Sequence, residues 1–191
     1  MSRDDSVNPG IFPLLLFGYS LAVLGVELLV TPAAAGALAF AIFVAAVGET
    51  VGGLWELARG ETYIGTIVTT FGIWLLGLFL LETLGSVLGL VTPPTLATYF
   101  LVLLIPIALL AIPAFKNGMG WPIRGAFVAL FLLVVFAGLN FVLANGIFGL
   151  VAGVFAWVSA LFVWLLAVED ILEIGTPPEP SDTQMEVSET S

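Results

Sequence analysis

Hydrophobic residues occur in six long runs along the chain, and turn-forming residues separate one run from the next. The runs cover residues 12–29, 34–57, 63–81, 96–115, 123–144 and 148–171. Each run has close to the ~20 residues that an α-helix needs to cross the hydrocarbon core of a bilayer. Pro32, Gly60 and the Pro93-Pro94 pair mark three of the breaks. The pattern predicts an all-α integral membrane protein with six transmembrane helices between residues 12 and 174.

The composition supports a membrane protein and argues against several classes of enzyme. Hydrophobic residues make up 60% of the chain and charged residues only 9%, whereas soluble domains have about 25% charged residues. Cysteine and histidine are both missing, which excludes thiol chemistry and a Ser–His hydrolase. We therefore expect no catalytic residue, no metal site and no cofactor. With four Lys plus Arg and a net charge of −10, the chain has no electrostatic basis for binding nucleic acid.

The four cations predict how the helices are oriented. Arg3, Arg59, Lys116 and Arg124 all fall in segments on one side of the membrane, and the other three loops contain none. Because cytoplasmic loops carry an excess of Lys and Arg, both termini are predicted to be cytoplasmic, in a multi-pass protein of the plasma membrane. Residues 1–11 would then form a cytoplasmic N-terminal segment. The Pro-, Ser- and acid-rich residues 175–191 are expected to be a disordered tail.

Several acidic side chains fall within or beside the predicted spans, where an uncompensated charge is costly. Glu49 lies about two turns inside the second span, and no span contains a Lys or Arg that could neutralise it. It is therefore either protonated, hydrogen-bonded to another helix, or exposed to a water-filled path. Glu56 and Arg59 are three residues apart on one helical face and can form a pair. Glu27 and Glu82 fall at the outer ends of the first and third spans, on the side of the membrane away from the four cations, and are expected to be solvated.

A series of hydroxyl side chains follows Gly60. Thr62, Thr66 and Thr69 share one face of the third helix at about 100° per residue. Small residues and hydroxyls on a membrane helix mark close helix packing more often than a pore lining. We therefore favour a packing seam for this face. Asn140 either faces a lumen or stops the fifth helix.

The segment from Gly52 to Leu76 resembles an element of the acetate uptake transporter (AceTr) family, which includes succinate–acetate permeases. The matching positions, all in register, are Gly53, Glu56, Arg59, Gly60, Thr62, Tyr63, Thr66, Thr69, Phe71 and Gly72. A second match is the N-terminal NPGIFPL, which keeps Asn8, Pro9 and Leu14 of a family motif but departs from it at Ile11 and Pro13. The resemblance covers most of residues 8–175.

This resemblance implies a pore in each six-helix subunit and a hexameric ring of subunits. It also implies that aromatic residues of the first and third helices and an apolar residue of the fifth narrow the pore. Those positions are Phe17, Phe71, and Leu130 or a neighbour. On a helical wheel Phe71 lies nearly opposite the threonine face, whereas Thr70 lies about 100° from Phe71 and can edge the lumen.

Transport of a small monocarboxylate such as acetate, or of succinate, is the function that these features favour. Helices one, three and five begin at the predicted cytoplasmic mouth, where their N-termini and Arg59 attract anions. No cation lies deeper, and a dry neck opposes a bare carboxylate, so we expect a proton to accompany the substrate and Glu49 to exchange it. Candidate path residues are Asn8, Glu49, Thr70 and Asn140, and candidate residues of the mouth are Glu56, Arg59 and Thr62.

Two other functions remain open. Six helices around a hydrophobic neck would equally suit a channel for a small neutral solute such as urea or ammonium. The chain could also be a non-transporting membrane sensor or scaffold that signals through its acidic tail. The partners expected are a small carboxylate, protons, the lipid bilayer and further copies of the same chain.

Overall fold

A computed structural model describes residues 10–173 of the chain as a bundle of long helices. The helices are α1 Ile11–Leu29, α2 Ala35–Arg59, α3 Thr62–Leu80, α4 Pro93–Lys116, α5 Trp121–Leu143 and α6 Gly146–Glu173, with a 3₁₀ turn at Pro32–Ala34 and a π-helical segment at Leu81–Gly85. Within this part of the chain no strand is present, and six helices are long and apolar enough to cross a membrane. The predicted all-α, six-span architecture is confirmed. Arg3, Asn8, most of the N-terminal segment and the acidic tail lie outside the residues described.

The helix ends follow from local sequence. Gly60 ends α2 in the left-handed region at φ 88°, where a residue without a Cβ carries no steric penalty. Thr92 caps α4 by accepting a hydrogen bond from the Thr95 N–H at 3.3 Å. The Pro93-Pro94 pair, interpreted above as a break before the fourth span, in fact begins α4. Proline suits this position because the first helical N–H groups have no intrahelical partner.

Small residues allow α2 and α3 to pack closely. A Cβ on Gly53 would overlap the Thr69 side chain and lie 2.5 Å from the Thr69 backbone N. Further along the same interface, a Cβ on Gly72 would lie 2.5 Å from the Thr50 N and 2.8 Å from the Glu49 Cβ. Thr69 therefore belongs to a packing seam between α2 and α3 of one chain, and this seam places Glu49 directly against α3.

The other helix pairs complete a ring. α1 packs on α2 and α6, and α5 packs on α6 and α4. In the α1–α6 contact, the Trp164 indole packs against Gly18 and the Trp157 indole packs against Gly25. The two glycines are seven residues apart in α1, and the two tryptophans are seven residues apart in α6. Trp164 Nε1 donates to the Leu15 carbonyl at 3.2 Å.

Two tyrosines join α3 to α4 and close the ring. The Tyr63 hydroxyl donates to the Leu110 carbonyl at 2.6 Å, and the Tyr99 hydroxyl donates to the Trp74 carbonyl at 2.7 Å. The two hydrogen bonds lie near opposite ends of the helix pair, because each tyrosine lies near the start of its own helix. The ring leaves space along its axis, and some of the functional candidates lie there.

Candidate functional site

A cavity of about 280 Å³ opens at the end of the bundle where α1 begins and α6 ends. Most of its lining is apolar and comes from α1, α2, α3, α5 and α6. The polar side chains that reach it are Glu49, Glu56, Glu61, Ser159 and Asp170. No lining residue is Lys or Arg, so the only ionisable groups on this surface of the described chain are carboxyl groups.

A second cavity of about 60 Å³ continues toward the opposite end of the bundle. Phe17, Leu21, Phe71 and Leu130 line both cavities, and we call these four residues the neck. The rings of Phe17 and Phe71 stack with centroids 5.8 Å apart and an interplanar angle of 16°. The structure thus brings together the three residues predicted for the constriction. Leu21 was missed, although it lies one turn beyond Phe17 on the same face of α1.

Glu49 and Ser159 are the buried polar groups of the larger cavity. Glu49 on α2 is 2% exposed and Ser159 on α6 is 1% exposed. Within residues 10–173, neither Glu49 Oε2 nor Ser159 Oγ has a hydrogen-bond partner. Buried polar groups normally have one, so these two atoms are available to a molecule in the cavity. Ser159 was missed by the sequence analysis, although it is the one serine or threonine of α6.

The open end of the larger cavity carries three carboxyl groups. Glu56 is buried, and its carboxylate accepts a hydrogen bond from the Gly10 backbone N–H. It interacts favourably with Arg59 and unfavourably with Glu61 and Asp170. The predicted Glu56–Arg59 interaction is therefore present, but Arg59 is absent from the cavity lining. Glu61 and Asp170 were missed because their neighbours on other helices are unknown from the sequence.

Other candidates from the sequence lie away from both cavities. Thr62 is exposed and donates to the Gly60 carbonyl at 3.4 Å. Thr70 is half-buried in α3, and Asn140 packs against Gly149 of α6, with Oδ1 3.2 Å from where a Cβ would be. Contact of these side chains with a substrate stays a prediction, as does that of Asn8.

The opposite end of the bundle also contains carboxyl groups. Glu82 lies in the π-helical segment, is half-buried and lines the smaller cavity. Glu27 of α1 lies close enough to repel it electrostatically, and Glu27 Oε2 is buried with no hydrogen-bond partner among the residues described. Both groups were expected to be solvated; each is half-buried, Glu27 in α1 and Glu82 in the π-helical segment, so the expectation holds only in part. Residues 10–173 contain no group of three or more Asp, Glu, His or Cys placed to hold a metal ion.

No protein-family model matches this sequence, and no curated protein matches it significantly. A solved structure, that of the bacterial acetate channel SatP, superposes with a TM-score of 0.80. The superposition covers 91% of this chain and 98% of SatP, at 20% sequence identity. The chain has the SatP fold. The fold that the sequence resemblance implied is thereby confirmed, and the neck and both cavities lie inside this fold.

Proposed function

We propose that the chain is a membrane channel or transporter for small monocarboxylates such as acetate, in which Phe17, Leu21, Phe71 and Leu130 form the selective neck. One observation carries the proposal: these four apolar side chains line the cavities on both sides. They do so in the fold of a protein described as an acetate channel. By the family resemblance, we further propose a hexamer in the plasma membrane with both termini cytoplasmic.

The charges of the larger cavity favour passage of a neutral species. Glu49, Glu56, Glu61 and Asp170 line it without a lysine or arginine, so a bare anion meets carboxyl groups and then an apolar neck. Transfer of a bare carboxylate through such a neck is strongly unfavourable. Acetate would therefore cross as acetic acid, or together with a proton. Succinate, with two carboxyl groups, would need two protons and is expected to cross more slowly.

Glu49 and Ser159 would bind the carboxyl group of the substrate just before the neck. The Ser159 hydroxyl can donate to a carbonyl oxygen, and Glu49 can donate or accept a proton according to its protonation state. Glu49 would exchange the proton that accompanies the substrate. Arg59, at the end of α2, would attract anions toward the opening without lining the path itself.

A channel for a neutral solute such as urea is the second candidate. The carboxyl groups of the larger cavity favour it, because urea can donate hydrogen bonds to carboxylates whereas acetate cannot. The sensor or scaffold function has no comparable support from the described residues.

Uptake of labelled acetate, succinate and urea into liposomes at two external pH values tests the proposal. Acetate uptake should exceed that of protein-free liposomes and increase when the external solution is more acidic. Leu130→Trp should abolish this uptake by filling the neck, whereas Val142→Trp, on an exposed part of α5, should not. Faster uptake of urea than of acetate would favour the second candidate. If no solute crosses faster than in protein-free liposomes, the transport proposal is wrong.

A further inference from the structure

A groove of about 230 Å³ runs between α4 and α5 on the outer surface of the bundle. Its lining is entirely apolar: Ile107, Ala108, Ala111, Phe115, Phe127, Val128, Phe131 and Leu132. Ile107 and Phe127 are buried and form the floor, while Phe115, Val128 and Phe131 are exposed at the walls. All eight residues belong to membrane-spanning helices. The groove therefore opens to the bilayer rather than to water.

Two cations lie at one end of this groove. On α5, Arg124 precedes Phe127, Val128 and Phe131 by three, four and seven residues, so it lies on the same helical face, one turn before the groove. Among the residues described, Arg124 Nε is buried and has no hydrogen-bond partner. Lys116 directly follows Phe115 at the end of α4. The groove thus combines an apolar trough with a positively charged end.

We propose that this groove binds an anionic phospholipid, with one acyl chain in the trough and the phosphate group at Arg124. The dimensions suit a chain from one leaflet, because Ile107 and Phe115 are eight residues apart, or roughly 12 Å along the helix, less than half of the ~30 Å hydrocarbon core. The phosphate supplies the acceptor that the buried Nε lacks, and arginine binds phosphate in a fork-like geometry. Lys116 adds a second positive charge near the headgroup. An apolar surface of a second copy of the chain would leave Arg124 unsatisfied.

One side chain connects the groove to the larger cavity. Phe127 forms part of the groove floor and also lines the larger cavity. An acyl chain in the groove would hold this side chain between lipid and cavity. This last step rests on the proposed transport function, whereas the lipid site itself does not.

Native mass spectrometry of the purified full chain, titrated with phosphatidylglycerol or phosphatidylcholine of equal chain length, tests the site. The wild type should prefer phosphatidylglycerol, and Arg124→Gln should weaken phosphatidylglycerol binding about fivefold, the effect of one cation near an anionic headgroup, without changing phosphatidylcholine binding. Arg124→Lys should keep most of the preference because it keeps the charge. Ala108→Trp should weaken binding of both lipids by filling the trough, whereas Leu109→Trp, on the exposed neighbouring position, should not.

Three results of this titration would overturn the proposal. They are the lack of a phosphatidylglycerol preference in the wild type, an equal loss of both lipids in Arg124→Gln, and equal behaviour of Ala108→Trp and Leu109→Trp.

The chain contains no cysteine, so Phe131→Cys adds a unique thiol to the groove wall. Efficient disulfide cross-linking of this variant between copies in a membrane would show that a second copy occupies the groove instead. None of these readouts requires transport, so the lipid site can fail while the transport proposal stands, and the reverse.

Discussion

Phe17 of α1 stacks on Phe71 of α3 with ring centroids 5.8 Å apart, and the pair lies between the two axial cavities. Leu21 and Leu130 complete the same boundary. Aromatic pairs in this offset arrangement gain about 0.5–1.5 kcal/mol beyond the area that they bury. The neck is therefore a packed apolar contact, and under the proposed function a solute would have to cross it largely dehydrated.

Shortening Phe71 should reduce discrimination at the neck. In Phe71→Ala the stacking partner of Phe17 is lost, and we expect the succinate-to-acetate flux ratio in liposomes to increase by on the order of tenfold, the range found when a hydrophobic pocket loses contacts with its substrate. Phe43→Ala is the matched control, because Phe43 is exposed on α2 and lines neither cavity. An unchanged ratio in Phe71→Ala, with the protein still folded, would show that selection occurs elsewhere.

Replacing Glu49 should separate transport from its dependence on pH. The amide of Glu49→Gln has a similar shape but cannot carry an exchangeable acidic proton. We expect acetate flux to persist while its response to a transmembrane pH gradient falls several-fold. Thermal stability should change little, because the variant exchanges one buried polar group without a partner among the residues described for an uncharged one of the same shape. The measurement is acetate uptake at several external pH values.

Glu169→Gln is the matched control for this prediction. Glu169 is exposed on α6 and lines neither cavity, so its replacement should leave the pH response unchanged. If Glu49→Gln keeps the full pH response, the proton enters with the substrate as acetic acid and Glu49 takes no part in coupling.

The sequence predicted the fold better than it predicted the site. Six apolar runs of about 20 residues suffice to predict six helices, because the bilayer imposes the length. The site depends on which helices are neighbours, and that information is not local. Ser159 and Glu49 line one cavity only because α6 and α2 both face the axis. The sequence therefore could not predict that Ser159 lies near Glu49, or that Glu61 and Asp170 lie near Glu56.

Three of the four neck residues could be predicted from the sequence, for a different reason. Phe17, Phe71 and Leu130 came from the family resemblance, which carries three-dimensional information that periodicity lacks. Arg59 shows the limit of reading charge alone. It lies close enough to Glu56 to interact with it electrostatically, but only the structure shows that carboxyl groups, and no described arginine or lysine, line the cavity.

Adding a methyl group at Gly72 should separate α2 from α3. A Cβ there would lie 2.5 Å from the Thr50 backbone N, and a backbone atom cannot move aside as a side chain can. We expect Gly72→Ala to lower the free energy of unfolding by about 1–3 kcal/mol, the usual cost of overpacking. Gly36→Ala is the control, because no atom lies within 4 Å of its added Cβ. The control should be neutral or stabilising by up to ~1 kcal/mol. Tryptophan fluorescence during thermal unfolding in detergent measures both, and equal stabilities would contradict the close contact.

The two tyrosine hydrogen bonds between α3 and α4 should contribute separately to stability. Tyr63→Phe and Tyr99→Phe each remove one hydroxyl donor, from the Leu110 and Trp74 carbonyls respectively. Hydrogen bonds between membrane helices contribute about 0.6 kcal/mol on average and up to ~1.7, so each variant should be destabilised within that range. Because the two bonds lie near opposite ends of the helix pair, the double variant should show the sum of the single effects. Tyr19→Phe, at an exposed position of α1, is the control for loss of a hydroxyl. A double variant no less stable than Tyr19→Phe would mean that these bonds do not hold the ring closed, and that α4 is retained by its packing on α5 and by the contacts of Trp74 with Tyr99 and Phe100.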